Sequence, residues 1–510
     1  MQTTKYVFVT GGVVSGLGKG ITVASLGRLL KARGYKVVTQ KCDAYINIDP
    51  GNLNPSEHGE IYITDDGAET DLDLGHYERF TDVSLTENSF ITMGKIYSAV
   101  LDKERKGLYK GATVQVVPHI TNEIMERIRG EAAALKNDGG AGIVITEIGG
   151  TVGDIESLPI LEAIRQIAHD VGRENVVFVH TTLVPHLDYI GEMKTKPTQH
   201  SVKELLSRGI QPDIVVCRSD REIPADAKAK LALFCNIETR CIIPNLHAQS
   251  LYEVPLLLEA EGFADAVCRK LDLEPRWPDL ADWRALVNKC KNPSRKVTIG
   301  LAGKYASSQD AYLSVSEALS HAGIHQEVQV EIKFIPCETD WLEAQDCPLT
   351  QKLDGIILAG SINDGASTGM EKIAEYSARN NIPFLGIGSG LLAAMCLLPC
   401  GPDKLAEYTD QAILVNDLGA KSCRLIPESI TGKAYGVESG SELITERFRN
   451  RVKLPYINEE NWLISEEGVT AEYTGHPFLV CVQFHPEYRS TITNPNPLFV
   501  EFIKACLNKL

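Results

Sequence analysis

The stretch from Tyr6 to Lys41, YVFVTGGVVSGLGKGITVASLGRLLKARGYKVVTQK, decides the fold. It reads as a strand (YVFVT), a glycine-rich loop (GGVVSGLGKG, Gly11–Gly20), a helix (ITVASLGRLLKARG) and a second strand (KVVTQK). An apolar strand running through glycines into a helix is the opening of a parallel α/β sheet. Gly12 to Lys19 nearly matches the pattern G-x-x-x-x-G-K-[ST], with Gly20 in place of the hydroxyl residue. Glycines let backbone N–H groups wrap a polyphosphate, the helix N-terminus adds its positive end, and Lys19 neutralises phosphate oxygens. Without a Ser or Thr after the lysine, Mg²⁺ needs other ligands.

Outward from this loop the same alternation continues. Strand candidates are GIVITEI (142–148), NVVFVHTTLV (175–184) and DIVVCRS (213–219), separated by helical patterns such as SLPILEAIRQIAHDVG. The pattern changes at LDLEPRWPDLADW, which holds two prolines and no strand period. A second α/β series starts at KVTIGLAGKY (296–305) and passes through LDGIILAG and IPFLGIG to FLVCVQFHPE. The expected organisation is a first domain over 1–270, a linker over 271–296 and a second domain over 297–510. The chain has 510 residues, more than the ~250–300 at which a single core stops growing.

Composition removes several classes of function. Acidic residues outnumber basic ones, 67 to 51, and the net charge is −16. That argues against nucleic acid as a partner, since backbone binding needs clustered Lys and Arg. No apolar run of about 18 residues occurs, so no membrane span is expected. The N-terminus has no signal-peptide pattern. Thirteen cysteines are scattered without a CxxC pair, as expected of small buried side chains in a reducing compartment. The expected location is cytoplasmic.

Carboxylates near Gly-rich turns are candidate metal ligands: Asp71, Asp73 and Glu147. Glu147 ends an apolar strand, and the C-terminal ends of parallel strands face the ligand crevice of such folds. The segment Lys194-Thr195-Lys196-Pro197-Thr198-Gln199-His200 packs two lysines, two hydroxyls and an amide together. It is either a polar surface loop or a second phosphate site.

These motifs resemble the CTP synthase family, amidoligases that convert UTP to CTP. The resemblance runs from Tyr6 to about residue 270 and includes YINIDPGNLNPSEHGEIYITDDGAETDLDLGHYERF, GATVQVVPHITNEI, EIGGTVGDIESLPILEAIRQ, KTKPTQHSVKELL and RSDREIPADAKAKLALFCN. It implies a P-loop-type parallel-sheet amidoligase domain. ATP, as co-substrate, would lie on Gly16, Leu17, Gly18, Lys19, Gly20 and Ile21 with Asp73. Mg²⁺ would be held by Asp73 and Glu147, and Lys19 and Lys41 would be catalytic. UTP or a close uracil nucleotide, and the product, would be held by Ser15, Asp154, Ile155, Glu156, Lys194 to Gln199 and Lys230. His58 and Ile61 match the family's ammonia gate. The resemblance also implies a homotetramer. One departure is Leu108, where the family carries an acidic residue in a lid used by its GTP effector; Lys106 beside it stands for an arginine.

From 297 onward the chain resembles a class I glutamine amidotransferase without its nucleophile. That class carries Cys in a G-I-C-x-G elbow; here the segment is Phe384-Leu385-Gly386-Ile387-Gly388-Ser389-Gly390. Gly388 takes the cysteine's place, while His485 and Glu487 remain in QFHPE. The oxyanion loop corresponds to Ala359-Gly360-Ser361-Ile362-Asn363, and the stretch Glu446–Val452 replaces a region rich in Arg and His. A base with nothing to activate forms no thioester. Neither Ser389 nor Cys396 is expected to substitute for the missing thiol. The expected activity is therefore an ATP- and Mg²⁺-dependent amidoligase using ammonia or another small amine, not glutamine hydrolysed in its own second domain. The alternative is a catalytically silent paralogue acting as a regulatory or assembly partner. The second domain would serve as scaffold or as a holder for an amine.

Overall fold

The computed structural model describes residues 4–508 except Ser15, 138–141, 189–190, 338–348, 350–351, 361–366, 401–402, 404–406, 409–410, 412 and 416. The chain divides into two compact units. One comprises 1–50 and 76–287; the other comprises 51–75 and 288–510.

The first unit is built on a seven-stranded sheet. Its strands are β1 (Lys5–Gly11), β2 (Val37–Asp43), β3 (Phe90–Thr92), β4 (Ile143–Ile148), β5 (Val176–Leu183), β6 (Ile214–Ser219) and β7 (Ile242–Leu246). They lie in the order β7-β6-β5-β1-β4-β2-β3, and all pairs are parallel. The central strands are buried almost without a break, as a sheet covered on both faces requires. Helix α1 (Lys19–Ala32) follows β1, and α2 (Lys196–Ser207) follows β5. Register sets Gly11 beside Thr181, Thr10 beside His180, and both Val9 and Lys41 beside Glu147.

The stretch read as a linker differs from that reading. It contains helix α3 (Ala281–Lys291), and residues up to Val287 belong to the first unit. The cause is Trp283, which is fully buried. It donates its indole N–H to Tyr252 O at 2.8 Å and packs against Phe80 and Tyr252. Burying a large aromatic with its N–H satisfied outweighs the two prolines preceding the helix.

The second unit has its own seven-stranded sheet. Its strands are β8 (Arg295–Gly303), β9 (Val328–Pro336), β10 (Gly355–Leu358), β11 (Phe384–Ile387), β12 (Trp462–Ile464), β13 (Thr470–Tyr473) and β14 (Leu479–Val482). The order is β9-β8-β10-β11-β14-β13-β12, with β13 and β12 antiparallel to their neighbours. Helix α4 (Ser389–Ala394) leaves the end of β11. The segment 51–75, read from sequence as part of the first domain, clusters with this unit. Arg447, fully buried, donates to Asp65 (2.6 Å), Tyr62 Oη (2.8 Å) and Ile63 O (2.9 Å). Ser314 donates its hydroxyl and its N–H to Glu60 Oε2, at 2.6 and 3.0 Å. No helix among the described residues is long and apolar enough to cross a membrane.

Candidate active site

The loop between β1 and α1 is open backbone. Gly16 (φ +75°) and Gly18 (φ +82°) adopt left-handed conformations with no heavy atom within 4 Å of a Cβ built on either. Val13 also sits at φ +82°, a conformation that is an outlier for a β-branched residue and is found where surrounding structure enforces it. Lys19 donates to Gly150 O at 2.9 Å, so its ammonium group lies beside the turn after β4. Thr22 Oγ1 donates to Gly18 O at 2.8 Å, which ties that hydroxyl to the helix start. Leu17 is buried, Gly20 and Ile21 begin α1, and Ser15 lies outside the described residues.

Charged groups converge at the C-terminal ends of β2 and β4. Glu147 is buried and accepts a short hydrogen bond from Tyr77 Oη. Lys41, register partner of Glu147, is buried with Nζ 3.4 Å from Asp43 Oδ2. Asp43 Oδ1 lies 2.5 Å from where a Cβ on Gly149 would stand, so only glycine permits that turn to cross the carboxylate. Asp43 was not singled out from sequence. Asp43 and Glu147 lie at the ends of β2 and β4 and carry carboxylate oxygens, the donor type Mg²⁺ takes alongside phosphate oxygens, though no group of three or more His, Cys, Asp or Glu among the described residues is placed to hold a metal. Asp73 opens the helix Leu72–Thr81 and donates its N–H to Asp71 Oδ1 at 3.1 Å; both belong to the second unit.

Two cavities flank β5 and β6. One, of about 350 Å³, is lined by His186, Met193, Thr195, Arg221 and Lys230 among others. It brings two expected nucleotide-binding residues, Thr195 and Lys230, to one place. The other, of about 340 Å³, is lined by Leu183, Pro185, Arg218, Asp220 and His247 among others. Lys194 pairs with Glu192 at 2.7 Å. Lys196 and Pro197 begin α2, Thr198 donates to Leu183 O at 3.0 Å, and Gln199 donates to Thr195 Oγ1 at 3.1 Å. Asp154 accepts the Thr151 N–H at 2.5 Å, and Ile155 and Glu156 form an exposed turn beside it.

Beside the glycine-rich loop lies a buried relay of hydrogen-bonded side chains. His180 Nδ1 is 2.9 Å from Thr10 Oγ1 and His180 Nε2 is 2.7 Å from Ser201 Oγ. Burial, aided by the nearby Lys19 charge, lowers the His180 pKa to about 3, so the ring is neutral. The relay ties β1 to α2.

In the second unit, Gly388 occupies a sharp strand-to-helix turn at φ +58°, ψ −119°. A Cβ built there would stand 3.2 Å from His485 Nε2. His485 Nδ1 is 2.7 Å from Glu487 Oε1. The His485–Glu487 pair is therefore assembled, and it faces a position that has no side chain. A Cβ on Gly360 would instead approach Ser389 Oγ at 3.4 Å. Cys396 lies 3.9 Å from Glu371 O, and burial pushes its thiol up to about 12. Ser361 to Asn363 lie outside the described residues. His58 ends the short helix Pro55–His58 and is exposed, whereas Ile61 is buried and its carbonyl accepts from Tyr488 Oη at 3.2 Å.

Residues 5–273 match the family model described as CTP synthase N-terminus, and residues 308–505 match that of class-I glutamine amidotransferases. A CTP synthase from Carboxydothermus hydrogenoformans is 48% identical over 99% of this chain and 100% of its own length. One from Ruminiclostridium cellulolyticum is 47% identical over 99% of each chain. The chain belongs to the CTP synthase family.

For a member of the CTP synthase family, the residues missed from sequence are informative. Asp43 sits two positions after Lys41 and resembles an ordinary surface charge next to a lysine. His180 is embedded in the apolar run NVVFVHTTLV, and a titratable side chain in such a run was the available signal. Tyr77 and Ser201 gave no local signal, because their partners are distant in sequence.

Proposed function

We propose that this chain is an ATP-dependent ligase that phosphorylates O4 of UTP, or of a close uracil nucleotide, and replaces that phosphate with an amine. The γ-phosphoryl group passes from ATP to O4, ammonia or a small amine attacks C4, phosphate departs and the amine loses a proton. Gly16 to Ile21 and Lys19 hold the ATP phosphates, with Lys41 beside the transferred group. Lys194 to Gln199 and Lys230 hold the uracil nucleotide, with Asp154, Ile155 and Glu156 at the product site. Asp73 and Glu147, with Asp43 as a further donor, would hold Mg²⁺, which offsets charge on the transferring phosphoryl group when bound. Catalysis is mainly positioning and electrostatics.

The nitrogen comes from ammonia or a small amine in solution, not from glutamine hydrolysed in this chain. The observation that carries this reading is the Gly388 turn, whose missing side chain would have pointed at His485 Nε2. His58 and Ile61 form the gate that ammonia passes. A homotetramer is carried over from the family resemblance. The test is product mass spectrometry with ATP, UTP, Mg²⁺ and each nitrogen donor. Ammonium should give ADP and an aminated nucleotide while glutamine gives neither. Comparable glutamine-driven turnover would overturn the reading.

A further inference from the structure

Resting on the reading that the first unit binds ATP and a uracil nucleotide, we propose that His180 and Ser201 are positioning residues for phosphoryl transfer, holding the glycine-rich loop against helix α2. The loop, from Gly11 to Lys19, is the segment read as taking the ATP phosphates, and α2 opens with Lys196, Pro197, Thr198 and Gln199, read as taking the uracil nucleotide. Ser201 stands on α2 two residues after Gln199. A Cβ built on Gly12 would lie 1.6 Å from Ser201 Oγ and 3.2 Å from His180 Nε2. The Ser201 hydroxyl therefore presses on the bare Cα of Gly12, an approach open only to glycine. Helix and loop meet there.

The direction of the relay follows from its donors. Thr10 Oγ1 donates its one hydrogen to Val179 O at 3.3 Å, so it accepts from His180 Nδ1–H at 2.9 Å. His180 Nε2 then accepts the Ser201 hydroxyl at 2.7 Å. Thr10 and His180 are fully buried on adjacent strands, so the imidazole is locked and fixes the Ser201 side chain in turn. The entry to the loop is pinned on both sides: Gly12 N–H donates to Thr181 O at 3.1 Å, and Gly11 O accepts from Val152 N–H at 2.9 Å. The next residue, Val13, sits at φ +82°, which a β-branched residue keeps only where its neighbours over-determine the backbone. On the helix side, Thr198 Oγ1 accepts from Thr182 Oγ1 at 3.3 Å and donates to Leu183 O at 3.0 Å, tying the first turn of α2 to the end of β5. Transfer of a phosphoryl group between two bound nucleotides is sensitive to misplacement of about 1 Å. The relay sets that placement through the two backbones it joins.

The test uses the full-length chain and variants at both positions. His180→Asn keeps a donor toward Thr10 and loses the acceptor toward Ser201, His180→Gln places an amide oxygen toward Ser201, and Ser201→Ala removes the hydroxyl. Calorimetry with UTP and with a non-hydrolysable ATP analogue gives each dissociation constant and the number of filled sites. Ammonium-driven ADP formation is then expressed per filled site. Ser201→Ala and His180→Asn should lower that rate roughly tenfold or more while each dissociation constant stays within about threefold. His180→Gln should recover the rate to within about threefold of the parent chain. A role in folding alone would instead reduce the number of filled sites and leave the rate per site unchanged. That result, a loss confined to affinity, or equal rates in the Asn and Gln variants would overturn the proposal. If the parent chain forms no ADP from ATP, UTP and ammonium, the function proposed above fails and this inference with it. If the parent turns over and the variants match it, only this inference fails.

Discussion

Gly12→Ala should damage the first unit through one identifiable clash. The added Cβ would lie 1.6 Å from Ser201 Oγ, 2.9 Å from Ser201 Cβ and 3.2 Å from His180 Nε2. Ser201 must move, and its 2.7 Å hydrogen bond to His180 is lost. Overpacking costs ~1–3 kcal/mol and a buried ring nitrogen left unsatisfied costs ~1–3 kcal/mol, so the variant should lose ~2–6 kcal/mol. Ser201→Ala alone should lose ~1–3 kcal/mol, because only the hydrogen bond goes. In the double variant the Oγ clash is absent and the lost bond counts once. Its cost should therefore fall short of the sum of the single costs by ~1–3 kcal/mol. Native-state hydrogen exchange at the β5 amides around His180 measures these changes in the intact chain. Additivity within ~0.5 kcal/mol would show that Gly12 and Ser201 are energetically independent and would refute the reasoning.

Lys19→Ala and Glu147→Gln should each abolish ADP formation while leaving the circular dichroism spectrum unchanged, because the phosphate charge and the cation lose their partners. Glu446→Gln should stabilise the second unit by about 2–4 kcal/mol at pH 8. Burial, against hydrogen bonds from Tyr435 and Asn496, raises the Glu446 pKa from 4.5 to about 7. The native state then holds an extra proton, stability falls as pH rises from 4.5 to about 7, and thermal melts of the glutamine variant should lack that fall. Asp65 behaves oppositely: burial raises its pKa, but Arg447 and Arg489 outweigh burial and hold the carboxyl below its ordinary value. Its contribution is present above the ordinary carboxylate pKa and disappears as pH falls through the lowered one, so Asp65→Asn should flatten the acid limb of the melting curve. GTP should not stimulate ammonium-driven turnover if exposed Leu108 stands, as the family resemblance implies, where relatives carry a lid acid; a saturable activation curve would contradict this.

The glycine-rich loop's conformation was legible because its backbone requirement is local. Left-handed backbone at Gly16 and Gly18 needs glycine, and the lysine must open the helix. The elbow was legible for the same reason, as a glycine between a strand and a helix. What sequence could not show depended on distant partners. Asp65 is held by Arg447, 382 positions away, so nothing in its own neighbourhood assigned 51–75 to the second unit. Helix α3 was hidden by composition: two prolines and several charges outweighed the single Trp283 that anchors it. Of the stretch Glu446–Val452, three arginines remain. Its reading as a reduced effector region overlooked that Arg447 and Arg449 are buried against residues 61–69.

That burial bears on why His485 and Glu487 stay paired beside the turn at Gly388. The imidazole of His485 is clamped between Glu487 and the Tyr488 ring. Tyr488 in turn donates to Ile61 O at 3.2 Å, and its own carbonyl accepts from Tyr62 Oη at 3.0 Å. Tyr62 takes a further hydrogen bond from the buried Arg447 guanidinium. Removing His485, Glu487 or Tyr488 would loosen a network that ends on the segment carrying Ile61 and His58. Leaving a buried guanidinium or hydroxyl unpaired costs more than losing a surface contact. Packing alone therefore accounts for the retained placement of His485 and Glu487. The pair's persistence is thus expected from stability alone.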